Sequence, residues 1–425
     1  MTSPAPPTDG RAQLIAEIGH WRHAAEALAD LDDAASPAAW AALERYVSAQ
    51  LRARLGGVVA ALVLEARQLS AAVDAGLATD PARARLLRLR ARYVQAETVV
   101  DFYADAVGAR TSPAMGALLR GLDVLAADSL DALLRPLGIS PPPVLVYLDK
   151  GLGASILRAG VRLWDEANPS PAAAIKLTRH NVSHPTAIFH ETGHQFAHLT
   201  GWTAELGEAL ARVLAPRSGE LADLWRCWAG EVAADVHAFV LCGWTPLPAL
   251  ANVVDGPTAA AYRILPGDPH PFPLVRVLFN AALCRSWFGA GPWDRLARTW
   301  LQRHPTANAG EAGDLARLSL AALPDLVDAC TRRPMQAFGG RALADLSDPR
   351  RVSPAALAEL AHQAGPSLLS SSYLARREGL RILSWLTARG LEDPDSAGRH
   401  RAVLAAWISS LGAAGQGVPV AAPAA

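Results

Sequence analysis

The segment PTAIFHETGHQFAHLTG, residues 185–201, decides how the chain is interpreted. Its apolar residues recur at helical spacing. Ser183 is a candidate N-cap for this helix, Pro185 falls in its expected first turn, and Gly201 is a candidate stop. The segment is therefore predicted to form one helix.

The predicted helix contains the pattern His-Glu-x-x-His at His190, Glu191 and His194. Residues four apart project from one face of a helix, so two imidazole nitrogens can converge on one tetrahedral Zn²⁺. Glu191 then reaches toward a zinc-bound water, accepts its proton and later delivers that proton to a leaving amine. We expect His190 and His194 to be zinc ligands and Glu191 to be the catalytic base.

A third ligand is expected from the next helix, which the apolar pattern places at about residues 220–241. Glu231 and Asp235 lie one turn apart on it, among apolar residues such as Trp228 and Phe239. Carboxylates in so apolar a helix need partners, and a metal with its ligand histidine supplies them. Glu231 is therefore predicted to complete the zinc site, and Asp235 to accept the second ring N–H of a ligand histidine.

Other histidines fit the site less well. His198 lies two turns from His190, about 12 Å along the helix axis, and is expected to pack or to support the site. His237 should point away from the predicted third ligand and is given no zinc role. The metzincin pattern would need glycine and histidine where this chain has Ala197 and Thr200, so that class is excluded.

Three motifs follow one another in a fixed order: HExGH at residues 190–194, E-x-x-A-D at residues 231–235, and H-P-x-x-x-x-R from His270 to Arg276. Together they resemble the thermolysin-like zinc peptidases called gluzincins, and most closely the HtpX and CAAX-prenyl-protease group. The resemblance implies a zincin-like core that hydrolyses peptide bonds. Members of that group are embedded in membranes, whereas no spanning segment is expected here.

The resemblance also implies roles for two residues outside the ligand set. His270 would act near the zinc as a catalytic residue, either by donating to the developing oxyanion or by gating access to the metal. Arg276 would pair with a carboxylate near the site. The alternatives are an ordinary loop histidine and an arginine on a helix surface. Tyr262 is the substitute electrophile if His270 does not serve.

The expected fold class is mainly α with a small β-sheet, in which a zincin-like (gluzincin) catalytic core is flanked by helical regions. Three short segments have strand character: Val144–Leu148, Val161–Trp164 and Ala173–Leu177. The last of these directly precedes the predicted histidine helix. It is expected to be the edge strand on which an extended peptide lies by strand addition.

The domain organisation is predicted from changes in composition along the chain. The predicted parts are a disordered tail at 1–10, an N-terminal helical domain at 11–138, the catalytic core at 139–290, a C-terminal helical region at 291–412 and a second tail at 413–425.

The composition excludes several classes of function. Lysine plus arginine equals aspartate plus glutamate at 40 each, so no nucleic acid or anionic membrane partner is expected. The four cysteines are far apart and form no zinc knuckle. No secretory signal is recognised, and the most apolar run, residues 56–64, is much shorter than the roughly 20 residues of a membrane span. A cytoplasmic protein is therefore expected.

The expected function is zinc-dependent hydrolysis of a protein or peptide substrate, with an endopeptidase favoured over an exopeptidase. One alternative is a zinc-stabilised interaction protein without catalysis. Another is a latent protease whose helical flanks cover the cleft until a regulatory protein binds. Glu191 argues against a purely structural zinc site, because such a site is usually closed by four ligands and needs no carboxylate beside the water.

Overall fold

A computed structural model describes residues 9–47, 51–151, 153–158, 172–265, 267–306, 309–393 and 395–414. It is mainly helical with one small sheet of three strands, which confirms the coarse fold class. The helices are α1 (Asp9–Leu28), α2 (Leu31–Ala34), α3 (Pro37–Val47), α4 (Leu51–Asp74), α5 (Thr79–Gly108), α6 (Pro113–Leu134), α7 (Ala187–Thr200), α8 (Trp202–Leu214), α9 (Gly219–Cys227), α10 (Ala229–Cys242), α11 (Pro246–Val254), α12 (Thr258–Ala261), α13 (Pro273–Phe288), α14 (Pro292–Arg303), α15 (Gly310–Thr331), α16 (Leu343–Leu346), α17 (Pro354–Ala364), α18 (Ser372–Glu392) and α19 (Ala397–Ala414). The strands are β1 (Val144–Asp149), β2 (Ser155–Leu157) and β3 (Ala173–Thr178).

Helices α1 to α5 form a bundle around a core of mostly leucine, valine and alanine side chains. Leu55 and Leu62 of α4 and Leu86 and Leu89 of α5 are almost fully buried in it. These positions are seven and three apart, so each pair lies on one helix face. Every buried side chain that the structure describes on these five helices is aliphatic or aromatic. The bundle is therefore held together mainly by apolar burial.

One helix of the bundle, α4, is long and apolar enough to cross a membrane by length and composition alone. Less than half of its most apolar window is buried inside the molecule. The same helix contributes buried side chains to the bundle core from Leu51 to Val73. Helices in the core of globular proteins commonly have this length and composition, so the finding is only weak evidence for a membrane-spanning helix. The expectation that no helix spans a membrane stays a prediction.

The sheet has the order β1–β3–β2, with β3 parallel to β1 and antiparallel to β2. The prediction that Ala173–Leu177 is an edge strand is therefore wrong, because β3 is paired on both sides. In the described sheet, β2 is an edge strand, and it lies beside the candidate site. Its three residues are too few for an alternating pattern to reveal it. The predicted strand Val161–Trp164 lies outside the described residues.

A second, larger core extends from α6 to α19 and includes most of the sheet. The helices α6 and α19 cross very closely, because a Cβ at Gly121 or Gly412 would clash with a backbone carbonyl of the facing helix. Helix α6 also packs against α7, where the hydroxyl of Ser129 donates to that of Thr192 at 2.8 Å. This core contains residues from each of the three predicted regions, and the domain boundaries themselves stay a prediction.

The predicted histidine helix is present, but it begins later than expected. A 3₁₀ turn, Arg179–Ser183, precedes it, and Thr186 rather than Ser183 occupies the N-cap position. The predicted stop is correct, since Gly201 has a left-handed backbone with φ of 70°.

The predicted helix at residues 220–241 is two helices, α9 and α10, which are separated at Trp228. Trp228 has φ of −81° and ψ of −2°, and its buried ring packs edge-on against Trp225 and Phe272. The packing of this indole, which is nonlocal, fixes the break between the helices.

Candidate metal centre

The candidate site forms where α7 and α10 cross at Gly193, between the two histidines of the predicted motif. A Cβ at Gly193 would lie 2.7 Å from the Cα of Ala234 and 2.9 Å from its carbonyl oxygen. Glycine therefore permits an approach of the two helices that any side chain would prevent. The approach brings the α7 histidines within reach of Glu231 in α10.

His190, His194 and Glu231 converge, with one donor atom of each lying within 4.8 Å of the others. The Nε2 atoms of His190 and His194 are 3.1 Å apart. Each of these nitrogens lies 3.3 Å from a carboxylate oxygen of Glu231. Two ligands of one tetrahedral zinc ion, at bond lengths of about 2.0–2.1 Å, would be about 3.3 Å apart. The three predicted ligands therefore have the spacing of a zinc site.

Asp235 orients the first of these histidines. Its Oδ1 lies 2.8 Å from Nδ1 of His190, so we assign the Nδ1 proton of His190 to this hydrogen bond. In the neutral imidazole this tautomer leaves Nε2 of His190 unprotonated and directed at the other donors, as a metal ligand requires. This is the arrangement that the sequence predicts for Asp235.

Arg276 and Asn280, both in α13, hold Asp235 in turn. Nε and Nη2 of Arg276 each donate to a carboxylate oxygen of Asp235 at 2.8 Å, and Nδ2 of Asn280 donates to it at 3.0 Å. Nη2 of Arg276 also lies 3.0 Å from Glu231. Arg276 is thus buried at the site rather than exposed on a helix surface. Asn280 was not predicted, although its position one turn after Arg276 on the same helix is a usable signal.

The buried charges at this crossing balance only when a metal ion or bound protons neutralise the carboxylates. Glu191, Glu231 and Asp235 are buried with a single guanidinium, that of Arg276. If both histidines are neutral, two negative charges stay uncompensated, which is costly in a buried site. A divalent cation supplies the missing charge. The donor set and its surroundings therefore fit Zn²⁺.

The pKa of His190 also reflects the excess of buried carboxylates at the site. Burial lowers this pKa, but hydrogen bonds to Asp235 and Glu231 outweigh burial and raise it to about 10. A proton therefore occupies His190 when no metal does. A metal ion that binds Nε2 of His190 must displace that proton.

The other two donors remain unprotonated near neutral pH. Burial and the charge of His190 lower the pKa of His194 to about 3. Burial alone would raise the pKa of Glu231, but the hydrogen bond from His190 and the charges of His190 and Arg276 lower it to about 2. Both side chains can therefore donate lone pairs to a cation.

Glu191 is buried beside the donor set and lines the same cavity. Burial raises its pKa to about 7, and the positive charge of His190 opposes part of this rise. A carboxyl group with a pKa near neutrality can both accept and release a proton. Glu191 thus has the environment that a general base requires.

His270 also lies at the site, on an exposed loop. Its Nε2 is 3.5 Å from Oε1 of Glu231. Its Nδ1 is 2.6 Å from Oδ1 of Asp268, which also accepts the backbone N–H of His270 at 3.0 Å. The hydrogen bonds with His270 lower the pKa of Asp268. Asp268, which the sequence analysis missed, therefore fixes the direction in which His270 points.

Three further residues lie away from the donor set. The hydroxyl of Tyr262 donates to the carbonyl of His304 at 3.0 Å, so Tyr262 is not available as the substitute electrophile. His198 is exposed near the end of α7. His237 is buried behind Gly193, and its Nδ1 lies 2.9 Å from the carbonyl oxygen of Phe189.

An open cavity of about 760 Å³ connects the donor set to solvent. Its walls come from α7, α10, α11, β2 with the residues before it, and the loop that carries His270. The lining side chains nearest the chemistry are His190, Glu191, His194, Glu231, Asp235, His270, Arg276 and Asn280.

Comparison with known proteins gives no matching family model, no matching curated protein and no matching solved structure. The function proposed below therefore rests on the geometry and chemistry of the site.

Proposed function

We propose that this chain is a zinc-dependent metallopeptidase with a zincin-like core of the gluzincin type, acting on protein or peptide substrates as an endopeptidase. The observation that carries the proposal is the convergence of His190, His194 and Glu231 beside the buried Glu191, in the wall of an open cavity. Catalytic zinc sites have three protein ligands and one open position, whereas structural sites are usually closed by four.

The roles of the residues follow from their positions. Zinc, when bound, would lower the pKa of a water molecule and polarise the substrate carbonyl. Glu191, buried beside the donor set, takes a proton from the attacking water and delivers it to the leaving amine. His270, when protonated, donates from Nε2 to the oxyanion that develops on the substrate. Asp235, held by Arg276, keeps His190 in its ligand orientation.

The substrate is proposed to bind beside β2 rather than β3. Within the described ranges β2 pairs with β3 on one side only, and Ser155 and Ile156 of β2 line the cavity. An extended peptide can add to such an edge through backbone hydrogen bonds. This places the peptide backbone next to the donor set.

A latent protease is a second candidate, and the position of His270 favours it. Its Nε2 is 3.5 Å from Oε1 of Glu231, and the side chain is about half exposed. A small movement of this loop would make His270 a fourth donor and close the open position. A regulatory protein that displaces His270 would then restore activity.

The proposal is tested by measuring bound zinc and cleavage of an unstructured protein for the wild type and for Glu191→Gln. Both proteins should bind one zinc ion, and the substitution should lower kcat by about 10²–10⁴-fold. Equal cleavage by both proteins would refute the role of Glu191. Zinc in the wild type without cleavage, followed by cleavage in His270→Ala, would instead establish the latent form.

A further inference from the structure

We propose that the cavity selects peptides in which a carboxylate lies close to an apolar side chain, and that Arg263 and Arg158 bind the carboxylate. This inference rests on the proposed function, since it takes the cavity to be the substrate site.

One part of the cavity wall is apolar. Ala249, Leu250 and Val253 of α11 and Ile156 of β2 are half-buried there. The two walls lie close together at Gly153, where a Cβ would make an ordinary van der Waals contact with Cγ1 of Val253 at 3.6 Å. Apolar side chains that remain partly exposed in a concave site gain free energy when an apolar ligand group covers them.

Another part of the cavity carries positive charge. Arg158 and Arg263 both line the cavity and are exposed. Within the described ranges, neither guanidinium has a hydrogen bond or an ion pair to another residue. Arg276, the third arginine of the lining, is by contrast already bonded to Asp235 and Glu231.

The acidic groups of the cavity cannot neutralise these two arginines. Glu191, Glu231 and Asp235 belong to the donor set and its buried surroundings. Asp268, the remaining acidic residue of the described lining, is bonded to His270. Among the residues that the structure describes, the exposed part of the cavity therefore presents two uncompensated positive charges to a ligand.

A guanidinium recognises a carboxylate through two parallel hydrogen bonds and a charge interaction. At exposed positions such pairs are weak, so we expect about 3-fold tighter binding from each arginine and about 10-fold from both. The carboxylate can belong to an acidic side chain or to the C-terminus of a short peptide. These two sources must be distinguished by experiment.

The test measures binding of fluorescein-labelled peptides to Glu191→Gln, which is proposed to bind substrate without cleaving it. Three probes share two adjacent leucines: one has a following aspartate and a C-terminal amide, the second has asparagine in place of the aspartate, and the third has asparagine and a free C-terminal carboxylate. The first probe should bind about 10-fold more tightly than the second. Tight binding of the third probe as well would identify the C-terminal carboxylate as a second source.

The arginines are tested in the same background. Adding both Arg158→Gln and Arg263→Gln should abolish the preference, whereas Arg298→Gln, which removes an exposed charge from α14, should keep it. Equal binding of all probes, no binding of any, or a preference that survives loss of both arginines would overturn the inference. Carboxylate-dependent binding with no cleavage by either the zinc-loaded wild type or zinc-loaded His270→Ala would instead refute the peptidase function and leave the recognition intact.

Discussion

The bundle formed by α1–α5 and the crossing of α7 with α10 bury side chains of opposite character. In the bundle, residues such as Leu86 and Leu89 contribute apolar area, and the charged groups that the structure describes stay at least partly exposed. At the crossing, Glu231, Asp235 and Arg276 are nearly as inaccessible as those leucines. Both regions are densely packed helices, but only one of them buries charge.

The difference indicates that the bundle mainly stabilises the fold, whereas the crossing carries the proposed function. Burial of apolar side chains stabilises a fold directly. Burial of charges costs free energy unless each charge has partners, and replacing a buried ion pair by apolar residues is often neutral or stabilising. The charges at the crossing are therefore not explained by the needs of folding. The divalent cation of the proposed function would account for them.

The largest effect is expected from Arg276→Ala. This change leaves the buried Asp235 and Glu231 without their guanidinium, which should lower the free energy of unfolding by about 3–5 kcal/mol. It should also weaken zinc binding about 10–100-fold, because His190 loses its fixed orientation. Denaturant unfolding and zinc titration measure the two effects. The control is Arg110→Ala, which breaks the buried pair with Asp123 and should reduce stability alone.

A smaller effect is expected from Gly193→Ala. The added Cβ would meet Ala234 and force α7 away from α10, at a cost of about 3 kcal/mol. Zinc binding should fall as well, because the donors sit on both helices. Gly230→Ala is the matched control, since a Cβ there approaches nothing closer than 3.8 Å. Similar zinc affinity in both variants would show that the helix approach does not set the site.

In the bundle, Leu89→Ala should reduce stability without changing the site. Removing this buried side chain leaves a cavity and should cost about 3 kcal/mol. Zinc affinity and the activity per folded molecule should match the wild type, as measured by titration and by assays well below the unfolding temperature. A loss of zinc affinity would show that the packing of the bundle also affects the site.

The smallest effect is expected from Asp128→Asn, and it depends on pH. Burial raises the pKa of Asp128 from 3.8 to about 7, so the folded state holds this proton more tightly than the unfolded state. Stability is therefore lost as the pH rises from about 4 to 7. The asparagine variant should match the wild type at pH 4 and exceed it at pH 8, by on the order of 2 kcal/mol. Thermal unfolding at both values checks this, and an equal difference at both would contradict it.

The pKa values of Asp128 and Asp235 move in opposite directions because the two carboxylates have different partners. Asp235 is buried at the crossing of α7 and α10, whereas Asp128 of α6 is half-buried. The charge of Arg276 and hydrogen bonds from Arg276 and His190 hold the pKa of Asp235 well below the usual range despite burial. Asp128 has no comparable set of partners among the described residues, and its pKa moves in the opposite direction.

The donor set could be predicted from sequence because its geometry is mostly local. A spacing of four places His190 and His194 on one helix face, and an apolar helix with two carboxylates is conspicuous. Three-dimensional structure was needed to place α10 against α7. Gly193 and its partner Ala234 both belong to quoted motifs, HExGH and E-x-x-A-D, but the sequence does not show that the two residues meet.

The errors came from features that depend on distant contacts. The edge strand was misassigned because strand order is set by pairing between segments, and β2 is only three residues long. Tyr262 is excluded as the substitute electrophile because its hydroxyl donates to the carbonyl of His304, a contact between residues far apart in the sequence. Asp268 and Asn280 were missed because each acts on another polar side chain rather than on the predicted metal.

The close crossing of α6 and α19 bears on how the chain is made. Helix α7 packs against α6, and α6 packs against α19 through the close contacts at Gly121 and Gly412. During translation, the histidine helix leaves the ribosome well before α19 is synthesised. The nascent chain thus carries the candidate donor residues for some time without the helices that pack around them. Under the proposed function, this order would delay activity until α19 has been synthesised.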